Sequence, residues 1–207
     1  MKVLVTGAAG FIGSNLVDML LARGDEVIGL DNFDPHYDPA VKRRNLATAL
    51  KNLRFRLIEG DILDSSCLND IFRSGRLDGV VHLAAAVSNR QSLYSDADDR
   101  YFHVNVRGTD NLIKTARTAS VRCFVYVSTG NVYDSSAPVP FREESTPLLP
   151  RTPYSRSKRE AEARVLAAAA NGGRRPRSCV SSPYTAPASA PTWFSTGGAR
   201  RCCEPSR

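Results

Sequence analysis

The chain has 207 residues, 42 % hydrophobic and 24 % charged, which is ordinary for a soluble globular protein large enough to bury a real core. No apolar run approaches the roughly 20 residues that a membrane-spanning helix requires, so no membrane partner is expected. The net charge of +7 hints at nucleic acid, but six arginines and one glutamate from Gly172 to the end supply +5 of it. Residues 1–171 are nearly balanced, so the basic character belongs to a tail and a nucleic-acid partner is not expected.

The N-terminus reads MKVLVTG, with no long apolar stretch before a small-residue cleavage site, so no signal peptide is expected and a cytoplasmic location follows. KVLVT at 2–6 reads as a buried strand, and residues 11–23 as an amphipathic helix. VIGL at 27–30 is a second strand and RFRLIEG at 54–60 a third. GVVHLAA at 79–85 is a fourth, and CFVYVST at 123–129 a fifth. Helical stretches lie between them, including 104–119 and 155–170. Alternating strands and helices with continuous apolar strands predict an α/β fold: a parallel, doubly wound sheet covered on both faces.

The first strand runs into TGAAGFIGSNL, which spaces Gly7, Gly10 and Gly13 three apart at the start of a helix. Gly7 suits the tight turn, Gly10 the close approach of a pyrophosphate, and Gly13 the packing of helix on strand. Asp31 ends strand two, where a carboxylate accepts from adenosine ribose hydroxyls and repels the extra phosphate of NADP. Asp61 and Ile62 follow strand three where an adenine would lie, although Asp61 also suits a helix cap. HLAAAV at 82–87 offers small residues at the end of strand four, and His82 reads as a core histidine. The five cysteines, Cys202–Cys203 among them, show no metal-ligand spacing, so no metal is expected.

Taken in order, VTGAAGFIGSNL, LDN, GDILD, HLAA, NVRGT, VYVSTGNVY and PYSRSK resemble the extended short-chain dehydrogenase/reductases of the NAD-dependent epimerase/dehydratase family, over roughly residues 1–170. The resemblance implies a Rossmann-type domain binding NAD through the glycine turn with Phe11 and Ile12, through Asp31 with Asn32, and through Asp61 with Ile62. It adds Leu83, Ala84, Ala85, Asn105, Tyr154 and Lys158 to the cofactor contacts. It implies Thr129, Tyr154 and Lys158 as catalytic residues. Tyr154 and Lys158 are four apart, hence on one helix face, where an ammonium lowers the pKa of a phenol.

The family's sugar 4,6-dehydratases follow the threonine with Asp-Glu, whereas Gly130 and Asn131 follow it here and neither moves a proton. That departure favours epimerisation. DNFDPHYDPAVKRRNL at 31–46 looks like the corresponding segment of uronic-acid 4-epimerases. The implied reaction is epimerisation of a nucleotide sugar at C4, a UDP-sugar such as UDP-glucuronate or UDP-glucose, through a transient 4-keto sugar. An NAD-binding module without catalysis and a family reductase or dehydratase are the alternatives. Full-length family members often form homodimers.

After Ala170 the composition changes: no Leu, Ile, Asp or Lys follows Asn171, and Pro, Ser, Arg and Gly dominate. Residues 171–207 are therefore expected to be a disordered tail lacking the sixth strand and the substrate domain. A one-base shift of the implied codons allows PYTAPASAPTWFS at 183–195 to read VYGPRQRPDMVF, a family-like word. This predicts a frame slip near residues 171–177, and a chain inactive as it stands.

Overall fold

The computed structural model describes residues 1–87, 98–138, 141–142, 146–170 and 177–179. Apart from residues 177–179, the tail expected to be disordered lies outside them, and with it the expected frame slip short of Arg177, the 183–195 word and Cys202–Cys203.

Six parallel strands form one sheet in the order β3-β2-β1-β4-β5-β6. They are β1 (Lys2–Thr6), β2 (Glu26–Asp31), β3 (Phe55–Glu59), β4 (Gly79–His82), β5 (Cys123–Val127) and β6 (Arg177–Cys179). The helices are α1 (Phe11–Ala22), α2 (Pro39–Asn45), α3 (Ser65–Arg73), α4 (Asp98–Tyr101), α5 (Gly108–Thr118) and α6 (Pro153–Ala170). A π-helical turn, Phe102–Arg107, joins α4 to α5.

Strand alternation sorts side chains onto two cores. On one face Leu4, Ile28, Leu30, Val80 and Tyr126 pack with Leu68 and Ile71 of α3, Leu112 of α5, and Ala161 and Val165 of α6. On the other, Val3, Val5, Val27 and Val81 pack with Leu16, Val17 and Leu20 of α1. β1 lies between β2 and β4, so the winding reverses there and leaves a crevice at the strands' C-terminal ends.

The expectation that no strand follows β5 is corrected by β6, which pairs Val125 with Arg177, Tyr126 with Ser178 and Val127 with Cys179. Ladder pairing is made by backbone N–H and C=O groups, so the open edge of β5 takes an extended segment without an apolar run. The sheet thus extends past the expected boundary at Ala170.

Candidate functional site

A cleft of about 390 Å³ opens across the C-terminal ends of the strands, over the reversal between β1 and β4. Its floor begins at the turn after β1. Gly7 turns with φ +69°, and a Cβ there would stand 2.8 Å from the amide nitrogen of Ala84, so the turn crosses the exit of β4. A Cβ on Gly13 would stand 2.1 Å from the Gly7 carbonyl oxygen, which shows how closely α1 is seated on the turn. A Cβ on Gly10 would meet only that carbonyl at 3.2 Å and the Tyr37 hydroxyl at 4.0 Å. The approach to α1 over Gly10 is therefore open. No side chain caps α1, so its first N–H groups face the cleft with the positive end of the helix dipole. Phe11, 79 % exposed, and Ile12 flank this mouth.

At one end of the cleft stands Asp31. Its carboxylate is already engaged: Oδ2 accepts from Ala9 N–H at 3.0 Å, and Oδ1 accepts from Phe33 N–H at 2.9 Å and from the Lys42 ammonium at 3.2 Å. The Lys42 ammonium beside it offsets part of the repulsion that Asp31 is expected to exert on a second phosphate. Asp38 caps α2 by accepting from Ala40 N–H, with Pro39 at the first helical position, and Lys42 follows one turn later to meet Asp31. Sequence reasoning did not assign Lys42 to the site. The signal was the run of basic residues after the YDP word.

Asn32 donates to Asp61 Oδ2 at 2.9 Å, and Ile62 is buried in the same wall. Asp61 caps no helix: its other oxygen accepts from Leu63 N–H, and the cap of α3 is Asp64. Arg100 and Asp34, also unforeseen, pair at 2.7 Å and both line the cleft.

Leu83, Ala84 and Ala85 form the wall beyond β4. The wall is held from behind. Ala84 N–H donates to Thr6 Oγ1, and Ala86 exchanges hydrogen bonds with Asn105, whose amide also donates to Ser157 Oγ at 2.9 Å. Asn105 sits on the π-helical turn and does not line the cleft; it ties the wall to α6. His82 is wholly buried between Thr6 and Thr109, and burial pushes its pKa down to about 3.

At the far end, Val127 and Ser128 of the β5 exit face Tyr154 and Lys158 of α6. Lys158 Nζ donates to the Val127 carbonyl at 2.8 Å and lies 4.3 Å from the centre of the Tyr126 ring. Burial pushes its pKa down to about 7, against the pull of Glu162. Tyr154 packs edge-on against Tyr101, with ring centroids 6.1 Å apart, and is hydrogen-bonded to the Thr129 side chain. Thr129 is buried off the cleft lining and reaches it through Tyr154.

The expected lowering of the Tyr154 pKa by Lys158 is not what the structure shows. Burial raises it, the Thr129 hydrogen bond offsets part of the rise, and the ammonium is turned to a carbonyl. A charged amine finds a better acceptor in a carbonyl than in a neutral phenol. Gly130–Val132 is a short 3₁₀ turn whose Asn131 N–H donates back to Thr129 Oγ1, so no acid or base follows the threonine.

Among the described residues no group of three His, Cys, Asp or Glu could hold a metal ion, and no helix is long and apolar enough to cross a membrane.

The family model described as "NAD dependent epimerase/dehydratase family" matches residues 3–190. UDP-glucuronate 4-epimerase 3 of Arabidopsis thaliana is 37 % identical over 162 residues, covering 78 % of this chain and 37 % of that protein. UDP-glucose 4-epimerase of Erwinia amylovora is 40 % identical over 163 residues, 76 % of this chain and 45 % of its own. Among solved structures, UDP-glucuronic acid 4-epimerase from Bacillus cereus, in complex with UDP-glucuronic acid and NAD, superimposes with a TM-score of 0.77 at 29 % identity. That match covers 87 % of this chain and 55 % of the other. The chain thus spans about half or less of the length of these relatives.

Proposed function

Because the chain belongs to the NAD dependent epimerase/dehydratase family, we propose that its cleft binds NAD and is the cofactor half of a nucleotide-sugar 4-epimerase acting on a UDP-sugar. The observation that carries this reading is one cleft with the open glycine turn and Asp31 at one end and Tyr154 with Lys158 at the other. The residues fit the dinucleotide. The missing side chain at Gly10 and the uncapped start of α1 suit a pyrophosphate. The Asp31–Lys42 pair offers an acceptor and a donor to a ribose, and Ile62 an apolar surface to an adenine.

When bound, NAD supplies the hydride acceptor and donor for the sugar C4. The chain's own groups manage the proton and the geometry. The phenolate form of Tyr154 takes the proton of the sugar 4-hydroxyl and the resulting phenol gives it back; the Thr129 hydrogen bond favours that phenolate against burial and orients it. Lys158, which lines this end of the cleft, would donate to a ribose hydroxyl of the bound cofactor. With Gly130 and Asn131 following Thr129, the site lacks the acid–base pair that loss of water needs, which supports epimerisation over dehydration.

In this family the grip on the diphosphate and sugar is expected of a substrate domain, and the 207 residues span about half or less of their relatives' length. We therefore infer that the 207 residues bind NAD but do not turn over a sugar. NAD titration of the 207-residue chain and its assay with UDP-glucuronate and UDP-glucose test this inference: failure to bind NAD, or turnover of either sugar, refutes it. In a chain joined to a family substrate domain, a 4,6-dehydrated product from UDP-glucose refutes the epimerase reading.

A further inference from the structure

Glu162 lies on α6 one turn beyond Lys158, only 7 % exposed. A buried carboxylate is costly unless paired. Its Oε2 accepts from Ser128 Oγ at 3.4 Å and stands 3.5 Å from Arg159 Nη1. Ser128 lines the cleft, and so does Lys158, whose ammonium meets a carbonyl and a ring face but no ion-pair partner within 4 Å among the described residues.

The titratable and charged groups around Lys158 are Glu162, Tyr154 and Arg159 on its own helix, Tyr126 on β5 and His82 on β4, with Tyr101 of α4 packed on Tyr154. Burial keeps His82 and Tyr126 neutral. Glu162 is the anion of the set.

We propose that Glu162 is a positioning residue that works through two cleft groups at once, as the counter-charge of Lys158 and the anchor of Ser128. The role of Lys158 toward the cofactor rests on the function proposed above; its electrostatic coupling to Glu162 does not. Side chains four apart on a helix are neighbours on one face, and Lys158 and Glu162 are both buried there. Loss of one charge beyond ion-pair contact, in a partly screened site, moves the other's titration by about one pH unit.

The test is competitive acetylation of the full, ligand-free chain across pH 5.5–9.5, quantifying Lys158 by mass spectrometry against the exposed Lys114. Only the neutral amine reacts, so the profile reports the proton on Lys158. In Glu162→Gln, which keeps the size and an acceptor for Ser128, the midpoint should fall by about one pH unit. Glu162→Asp should restore most of the difference. An unchanged midpoint in a Glu162→Gln chain with wild-type thermal stability overturns the proposal. So does an equal change in both variants, the mark of a merely structural role.

NAD affinity against pH forms a separate arm. If Glu162→Gln shifts the acetylation midpoint but not the pH at which NAD affinity declines, the coupling stands and the cofactor role of Lys158 falls.

Discussion

The glycine turn allows fold and ligand to be separated by single methyl groups. In Gly13→Ala the new Cβ would lie 2.1 Å from the Gly7 carbonyl oxygen and 2.9 Å from Ala8 Cα. Both are backbone atoms, so relief requires α1 to move off the turn by about 1 Å, and overpacking of this kind costs about 1–3 kcal/mol. With no flexible side chain to yield, the cost should sit near about 3 kcal/mol, which lowers Tm by about 6–12 °C at this chain length.

Gly10→Ala differs in kind. Gly10 has φ −69° and ψ 169°, which alanine adopts freely, and its Cβ meets one atom at 3.2 Å before open cleft. The small crowding is offset by the reduced entropy of the unfolded chain, so stability should stay within about 1 kcal/mol of wild type. The methyl group then occupies the approach to α1. A clash of about 1–3 kcal/mol with a bound pyrophosphate weakens NAD by about five- to 150-fold. Thermal unfolding by circular dichroism and NAD titration of both variants provide the assay. If Gly10→Ala binds NAD as wild type does, the pyrophosphate does not pass over Gly10. If Gly13→Ala unfolds within about 2 °C of wild type, α1 is not held by this contact.

Asp31→Ala removes the acceptor for two backbone N–H groups and strands the buried Lys42 ammonium, so it should destabilise the chain by about 3–5 kcal/mol, measured by urea unfolding. The same variant should narrow the gap between NAD and NADP affinity, and an unchanged ratio would show that Asp31 does not read the ribose. His82 titrates at about 3 in the fold against about 6.5 unfolded. The unfolded chain therefore binds the extra proton between those values, and stability falls by up to about 1.4 kcal/mol per pH unit as pH drops below about 6.5. His82→Gln should flatten that slope, and an identical slope in both proteins refutes the assignment. In a chain joined to a family substrate domain, Tyr154→Phe should cost about 10²–10⁴ in turnover; near-normal rates would mean that another group moves the proton.

The α/β class, the parallel strands and the glycine turn were legible in the sequence because they rest on local signals: β-branched runs of four to six residues, and glycines whose spacing reflects backbone crowding at Gly7 and Gly13. The same signals brought Asp31, Asp61 and the residues after β4 to one cleft, because parallel strands present their C-terminal ends together. Partnership, by contrast, was decided by the tertiary structure. Lys42 belongs with Asp31 only because Asp38 starts a helix at one particular angle. Asn105 braces the cleft wall from behind because a π-helical turn sets it beside Ala86 and Ser157. Lys158 faces a carbonyl and not the phenol four residues earlier, since helical spacing fixes which face a side chain leaves from but not the acceptor it meets. β6 pairs through backbone groups that every sequence carries, so no apolar pattern announced it.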